Sequence, residues 1–155
     1  MSEHRITLQW KRDTPDFDYQ TYTRDHTVRY GSGSELCASA APEYHGNAEC
    51  MDPEQAFVVS MASCHMLTFL ALASKKRFTV DSYGDEAMAE LGNNSERKPA
   101  ITKVLLRPVV VFSGERRPDS GGFRKLHDQA HDMCVIANSV ATCVEVVVEP
   151  EMKTA

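Results

Sequence analysis

Asp52-Pro53-Glu54-Gln55-Ala56-Phe57-Val58-Val59-Ser60-Met61-Ala62-Ser63-Cys64-His65-Met66-Leu67-Thr68-Phe69-Leu70-Ala71-Leu72-Ala73-Ser74-Lys75-Lys76 is the stretch that decides how this chain folds. Asp52 is a strong N-cap residue, Pro53 suits the first helical position, and Glu54 complements the positive end of a helix. Lys75 and Lys76 carry the charge favoured at the other end. Between them apolar residues fall on nearly every face, which marks a helix buried on most sides. Its length and its Ser, His and Thr residues argue against a membrane span. Cys64 stands in the middle, followed by His65, so any chemistry of the chain starts there.

The 155 residues fit one domain, residues 1–155, and a 42% hydrophobic content fills a real core. A net charge of −5 is too mild and of the wrong sign for nucleic acid as the main partner. The first residues show no charged-then-apolar leader, so the expected compartment is the cytoplasm, with no membrane association. The five cysteines are Cys37, Cys50, Cys64, Cys134 and Cys143, and no CxxC occurs among them. A zinc ribbon or thioredoxin-type motif is therefore not expected. In a reducing compartment such cysteines are free, metal-bound or redox-active. Cys37, Cys50 and Cys143 read as small buried hydrophobes.

Outward from the helix, strands dominate. His4 to Lys11 alternates, with Ile6, Leu8 and Trp10 on one side, and predicts a half-buried strand. Arg24 to Tyr30 and Glu35 to Ala41 predict a hairpin around Gly31-Ser32-Gly33-Ser34. After the helix, Phe78 to Tyr83 starts a strand that runs on towards Leu91. Ile101 to Phe112 is the strongest strand pattern, with Pro108 marking an edge or bulge. Gly121 to Met133 predicts a helix with Phe123, Leu126, Ala130 and Met133 on its apolar face. Cys134 to Val140 predicts a second short helix, and Thr142 to Val148 the closing strand. This order predicts an α+β fold. A helix apolar all round, in so small a chain, needs a cover for its second side, and a partner subunit is the simplest one.

Two blocks carry a specific likeness. Asp52-Pro53-Glu54-Gln55-Ala56-Phe57 followed by Ala62-Ser63-Cys64-His65-Met66-Leu67 is one, and His131-Asp132-Met133-Cys134-Val135-Ile136-Ala137-Asn138-Ser139-Val140 is the other. Together they resemble the family of osmotically inducible and organic hydroperoxide resistance proteins (OsmC/Ohr) over roughly residues 20–150. The resemblance implies antiparallel sheets around a long buried central helix in an intertwined homodimer. It implies a thiol peroxidase for organic hydroperoxides, with no metal and no other cofactor, and a dithiol or lipoyl-type reductant. In that pattern Cys64 is the peroxidatic cysteine and Cys134 the resolving one. Glu54 matches the family's glutamate at the start of the helix, and Arg24 best matches the arginine it pairs with, Arg29 being the runner-up. His65 and Val135 depart from the aromatic and the proline common after the two cysteines.

Competing readings start from the same residues. A non-catalytic dimer binding a small hydrophobic ligand fits the apolar company expected of Cys64: Phe57, Met61, Met66 and Leu67. Cys64, His65, His131 and Cys134 offer soft and imidazole ligands of the kind zinc takes. Neighbouring residues on a helix point about 100° apart, however, so Cys64 and His65 do not share one ion. Each histidine reads instead as structural, or as modulating the thiol. Glu54 and Cys64 stand roughly 15 Å apart along a straight helix, whereas the resemblance puts the Arg–Glu pair beside the reactive cysteine. A site completed across a two-fold axis reconciles the two, the alternative being a helix kink or a long Arg24 reach within one chain.

Overall fold

The computed structural model describes residues 2–155. The central helix α1 (Pro53–Lys75) begins and ends within a residue of its sequence signals. Asp52 Oδ1 accepts from the Gln55 backbone N–H at 2.7 Å, while Gln55 Oε1 accepts from the Asp52 N–H at 3.2 Å. This reciprocal pair satisfies donors that the first turn leaves open. At the other end Arg77 takes a positive φ of 61°. The Arg77 N–H bonds to Ser74 O and the Phe78 N–H to Ala73 O, closing the last turn. Inside the helix, Ser60 Oγ donates to Phe57 O and Thr68 Oγ1 to Cys64 O, so these hydroxyls are satisfied locally.

The chain forms two compact units, one running to Ala56 and the other comprising Phe57–Ala155. In the first, β1 (Ile6–Gln9), β2 (His26–Tyr30) and β3 (Ser34–Ala38) make an antiparallel sheet in that order. The β2–β3 hairpin turns where Gly31 and Gly33 take positive φ. The third strand ends at Ala38, short of the expected Ala41. A short 3₁₀ turn (Pro42–Tyr44) follows, and the loop doubles back so that Met51 pairs in parallel with Ala38. Gly46 makes this return possible, since a Cβ there would meet Ala40 O at 1.6 Å. The first strand departs from expectation: Ile6 and Leu8 are exposed in the single chain, not half-buried.

The second unit holds two further three-stranded sheets. β4 (Thr79–Asp85), β7 (Pro108–Ser113) and β9 (Glu151–Thr154) form one in the order β4-β7-β9. β5 (Met88–Asn93), β6 (Pro99–Leu106) and β8 (Glu145–Val148) form the other in the order β5-β6-β8. Three ribbons therefore cross from sheet to sheet, breaking near 86–87, at Arg107 and near 149–150. The two patterns predicted as continuous strands, 78–91 and 101–112, are each such a bent pair. A Pro at 108 cannot donate to a ladder, and it opens β7. The corner is tied by Asp85 Oδ1 accepting from the Arg107 N–H at 2.7 Å and by the Arg107–Glu149 ion pair at 3.3 Å. Beyond the predicted closing strand, β9 adds a ninth strand; it pairs in parallel with β7, as β8 does with β6.

Helices α2 (Ser120–Met133) and α3 (Val135–Val140) complete the unit. Asp119 caps α2 by accepting from the Gly122 N–H at 2.6 Å. The buried face of α2 is Phe123, Leu126, His127 and Ala130, while Met133, expected on that face, is 57% exposed. The α1 stripe Met61, His65, Phe69 and Ala73 recurs every fourth residue, one helical face. It feeds two cores. Phe69 and Ala73 pack with Val110, Phe112, Phe123 and Leu126, whereas Met61 packs with Val104, Leu106, Cys134 and Ala137. By length and composition α1 is apolar enough to cross a membrane; in the single chain it buries this one stripe rather than most of its sides, and leaves Val59 and Leu67 more than half exposed.

Candidate functional site

Cys64 lies on the middle of α1 and Cys134 at the junction of α2 and α3. A bend in the chain between two helices puts Cys134 at the N-cap of α3, where its sulfur accepts from the Ala137 N–H at 3.4 Å. Cys134 is fully buried, Cys64 is partly open, and both are free thiols. They meet in one apolar cluster with Met61, Val104, Leu106 and Ala137, and Phe57 and Val140 pack at its edge. Burial, helped by the adjacent Cys64 sulfur and opposed by the Ala137 N–H, pushes the Cys134 thiol up to about 11. At neutral pH Cys134 therefore holds its proton and faces Cys64. Of the apolar neighbours expected around Cys64, Phe57 and Met61 are present. Leu67 is instead 62% exposed on another face of the helix.

The other two predicted residues belong to the first unit. Arg24 donates to the carbonyls of Tyr22 and Tyr19, and its guanidinium lies 3.8 Å over the Tyr22 ring. It lines an apolar recess with Trp10, Phe17, Tyr22 and His26. Glu54 sits half-buried in the first turn of α1. Among the described residues no ion pair joins Arg24 to Glu54, so the expected bidentate pairing is not made within this chain. Arg29 is committed to Glu35 at 2.5 Å across the β2–β3 hairpin, and both are about half exposed.

Two features were not anticipated. Cys37 and Cys50, read as separate buried hydrophobes, form a disulfide with Cα atoms 5.1 Å apart. Their partnership arises because the loop after β3 returns alongside it. Cys143, read the same way, is exposed. The second feature is a histidine pair. His65 Nε2 and His127 Nδ1 lie 3.0 Å apart with the rings nearly parallel, and both residues are buried. The contact requires one nitrogen to donate and the other to accept. Whichever tautomer is present, His65 Nδ1 and His127 Nε2 are left as one N–H and one lone pair without a partner. Burial lowers His65 to about 4, helped by the charge of His131, and lowers His127 to about 3, helped by His65. Phe69 stacks on His127 at 4.3 Å and Phe123 meets it edge-on. The helical spacing of His127 to Phe123 and Ala130 was the available signal.

An OsmC-like protein family model matches residues 46–149. The chain belongs to the OsmC-like family. An OsmC-like protein of unknown function from Vibrio cholerae is 46% identical, with a TM-score of 0.92 over 97% of this chain and 99% of that one. An organic hydroperoxide resistance protein from Legionella pneumophila, described also as a predicted redox protein, superposes with a TM-score of 0.67 at 16% identity, over 97% and 99% of the two chains. The organic hydroperoxide resistance protein of Bacillus subtilis gives 0.65 at 17% identity, over 97% and 98%. At those identities the last two show the shared fold alone. No curated protein matches the chain.

Proposed function

We propose that this OsmC-like protein is a thiol-dependent peroxidase that reduces organic hydroperoxides to alcohols. The observation that carries the reading is the meeting of Cys64, partly open, with Cys134, buried and protonated, inside one apolar cluster. The hydroperoxide resistance proteins that share the fold support it. The Cys64 sulfur attacks the terminal peroxide oxygen, the O–O bond breaks, and the alkoxide leaves as an alcohol after taking a proton. Cys64 is then a sulfenic acid. Cys134 attacks its sulfur, water leaves, and a Cys64–Cys134 disulfide forms. A dithiol or lipoyl-type reductant returns two electrons and two protons. Arg24 supplies a permanent cation to the reacting oxygens, and Glu54 orients it once substrate is bound.

The working unit in this reading is a homodimer in the cytoplasm. In the single chain Val59 and Leu67 of α1, with Ile6 and Leu8 of β1, are each more than half exposed. Burying such surface contributes about 25 cal/mol per Å². The dimer brings Glu54 and Arg24 of one chain towards Cys64 of the other, which the roughly 15 Å between Glu54 and Cys64 along one helix does not allow. Organic substrates are favoured, because the Met61 and Phe57 side chains beside Cys64 gain from burying an alkyl or aryl group.

Competing an aryl hydroperoxide against hydrogen peroxide, with a dithiol as reductant, tests the substrate class; equal specificity constants contradict it. Mixing Cys64→Ser with Glu54→Ala subunits tests the shared site. A mixed dimer then carries one site with both defects and one with neither, so activity partly returns. No recovery despite proven subunit exchange rules out the sharing.

A further inference from the structure

We propose that Asp25, Cys37 and Cys50 form a redox-gated metal site: a disulfide when oxidised, and a binding site for a soft divalent cation such as zinc when reduced. The site lies in the first unit and stands independently of the peroxidase reading. One carboxylate oxygen and the two sulfurs all lie within 4.8 Å of one another. A tetrahedral zinc shell with Zn–S bonds of about 2.3 Å and Zn–O bonds of about 2.1 Å spaces its ligands by roughly 3.4–3.8 Å. Once the S–S bond is cleaved, the sulfurs must move apart to reach it, by side-chain rotation about Cα atoms 5.1 Å apart. Two thiolates and a carboxylate are three ligands of the type zinc prefers, and water takes the fourth position.

The surroundings orient these ligands as an outer shell orients metal ligands. Asn47 Nδ2 donates to Asp25 Oδ2 at 2.9 Å and to Cys50 Sγ at 3.5 Å. The Asn47 amide is itself held, because its Oδ1 accepts from the Glu49 N–H and its own N–H bonds to Ser39 Oγ. The Asp25 N–H bonds to Thr23 Oγ1. The Met51 N–H bonds to Cys37 O and the Ser39 N–H to Met51 O, so the loop stays fastened to β3 when the disulfide opens. Cys37 is exposed and borders a cavity of about 750 Å³ that Asp25, Trp10 and Lys11 also line. That cavity admits both a reductant and an ion.

The chemistry balances. A phosphine and one water cleave the S–S bond; the phosphine keeps the oxygen as phosphine oxide, and the two protons go to the two sulfurs. In a reducing compartment a dithiol does the same and becomes a disulfide. The dication then displaces both thiol protons to solvent and accepts Asp25 as its third ligand. Because oxidation to the disulfide removes two electrons and leaves no thiolate to bind the dication, each state excludes the other.

Cobalt(II) reports thiolate ligation directly. The full chain, reduced with a phosphine and desalted without oxygen, is titrated with cobalt(II) alone and followed in the near-ultraviolet. One equivalent should produce a thiolate-to-cobalt charge-transfer band in the reduced chain and none in the Cys37–Cys50 disulfide form. Cys50→Ala should abolish the band, and Asp25→Asn should weaken binding at least about tenfold. The disulfide form of the unaltered chain is a control that no folding defect can mimic. A reduced chain with no band, or a band of equal strength in the disulfide form or in Cys50→Ala, overturns the proposal.

Discussion

The two cysteine pairs of this protein live in opposite surroundings. Cys37 and Cys50 are 13 residues apart, on a strand and the loop that returns to it, with Asp25 and Asn47 as polar neighbours. They are joined. Cys64 and Cys134 come from distant parts of the sequence, meet between helices among Met61, Val104 and Leu106, and stay reduced. Distance along the chain does not decide which pair is joined, since both pairs are adjacent in space. Their company differs. The joined pair has one exposed sulfur-bearing residue, Cys37, and one buried, Cys50, and its closure ties a loop to its strand. In the apolar pair, burial holds the proton on Cys134, while Cys64 is the sulfur open to a substrate.

The largest effect separating the pairs is on activity. Cys64→Ser should lower organic hydroperoxide consumption by at least about a thousandfold, because no other group replaces the nucleophile. Cys143→Ser, at an exposed free thiol, should stay within about twofold. Coupled turnover assays check both, and a Cys64→Ser chain as active as wild type removes the peroxidase reading.

The next effect is on pH dependence. Disulfide closure needs ionised Cys134, whose pKa is raised to about 11. Below that value its thiolate fraction grows about tenfold per pH unit. Closure, timed by rapid quenching after one equivalent of hydroperoxide, should therefore accelerate about tenfold per unit between about pH 6 and 9. A flat profile would mean that Cys134 is not the attacking group.

Breaking the other pair should cost stability. Closing a loop of this length stabilises by about 3 kcal/mol through the unfolded chain. Cys50→Ala should lose about that much in denaturant unfolding without reductant, and almost nothing relative to wild type with reductant present. An equal loss under both conditions would assign the effect to packing.

An effect confined to acid belongs to His65 and His127. Their folded pKa values, about 4 and about 3, lie below the ordinary 6.5. The unfolded chain therefore binds protons first as pH falls. Stability should be unaffected above about pH 6.5, then drop by up to about 1.4 kcal/mol per pH unit for each histidine until the folded values are reached. His127→Gln should flatten this acid limb in unfolding curves taken between about pH 7 and 5.

The contrast also explains what the sequence could convey. Helix α1 was legible almost to the residue because Asp52, Pro53 and the terminal lysines are local signals. Cys64 and Cys134 were legible as a pair through the two motif blocks. The bends at Arg107 and near Glu86 were hidden, because one or two polar residues such as Asp85, Glu86 and Arg107 look like the solvent face of a continuing strand, and only Pro108 marks a corner. Strand β9 was hidden behind Pro150 in a polar tail, since its pairing partner β7 lies some forty residues upstream. The Cys37–Cys50 bond depends on the path of a loop that only Gly46 permits, and no periodicity encodes that path. His127 was passed over because a polar residue on an apolar helix face looks like an interruption until its partner, His65, is placed.

The central claim, that Cys64 and Cys134 are a working redox couple, rests most directly on counting thiols. The chain carries three free cysteines, Cys64, Cys134 and Cys143. One equivalent of an alkyl hydroperoxide, followed by thiol titration in denaturant and peptide mapping, should leave Cys143 alone free and reveal a Cys64–Cys134 disulfide. Three thiols remaining, or a loss that falls on Cys143 while Cys64 and Cys134 stay reduced, would contradict the account.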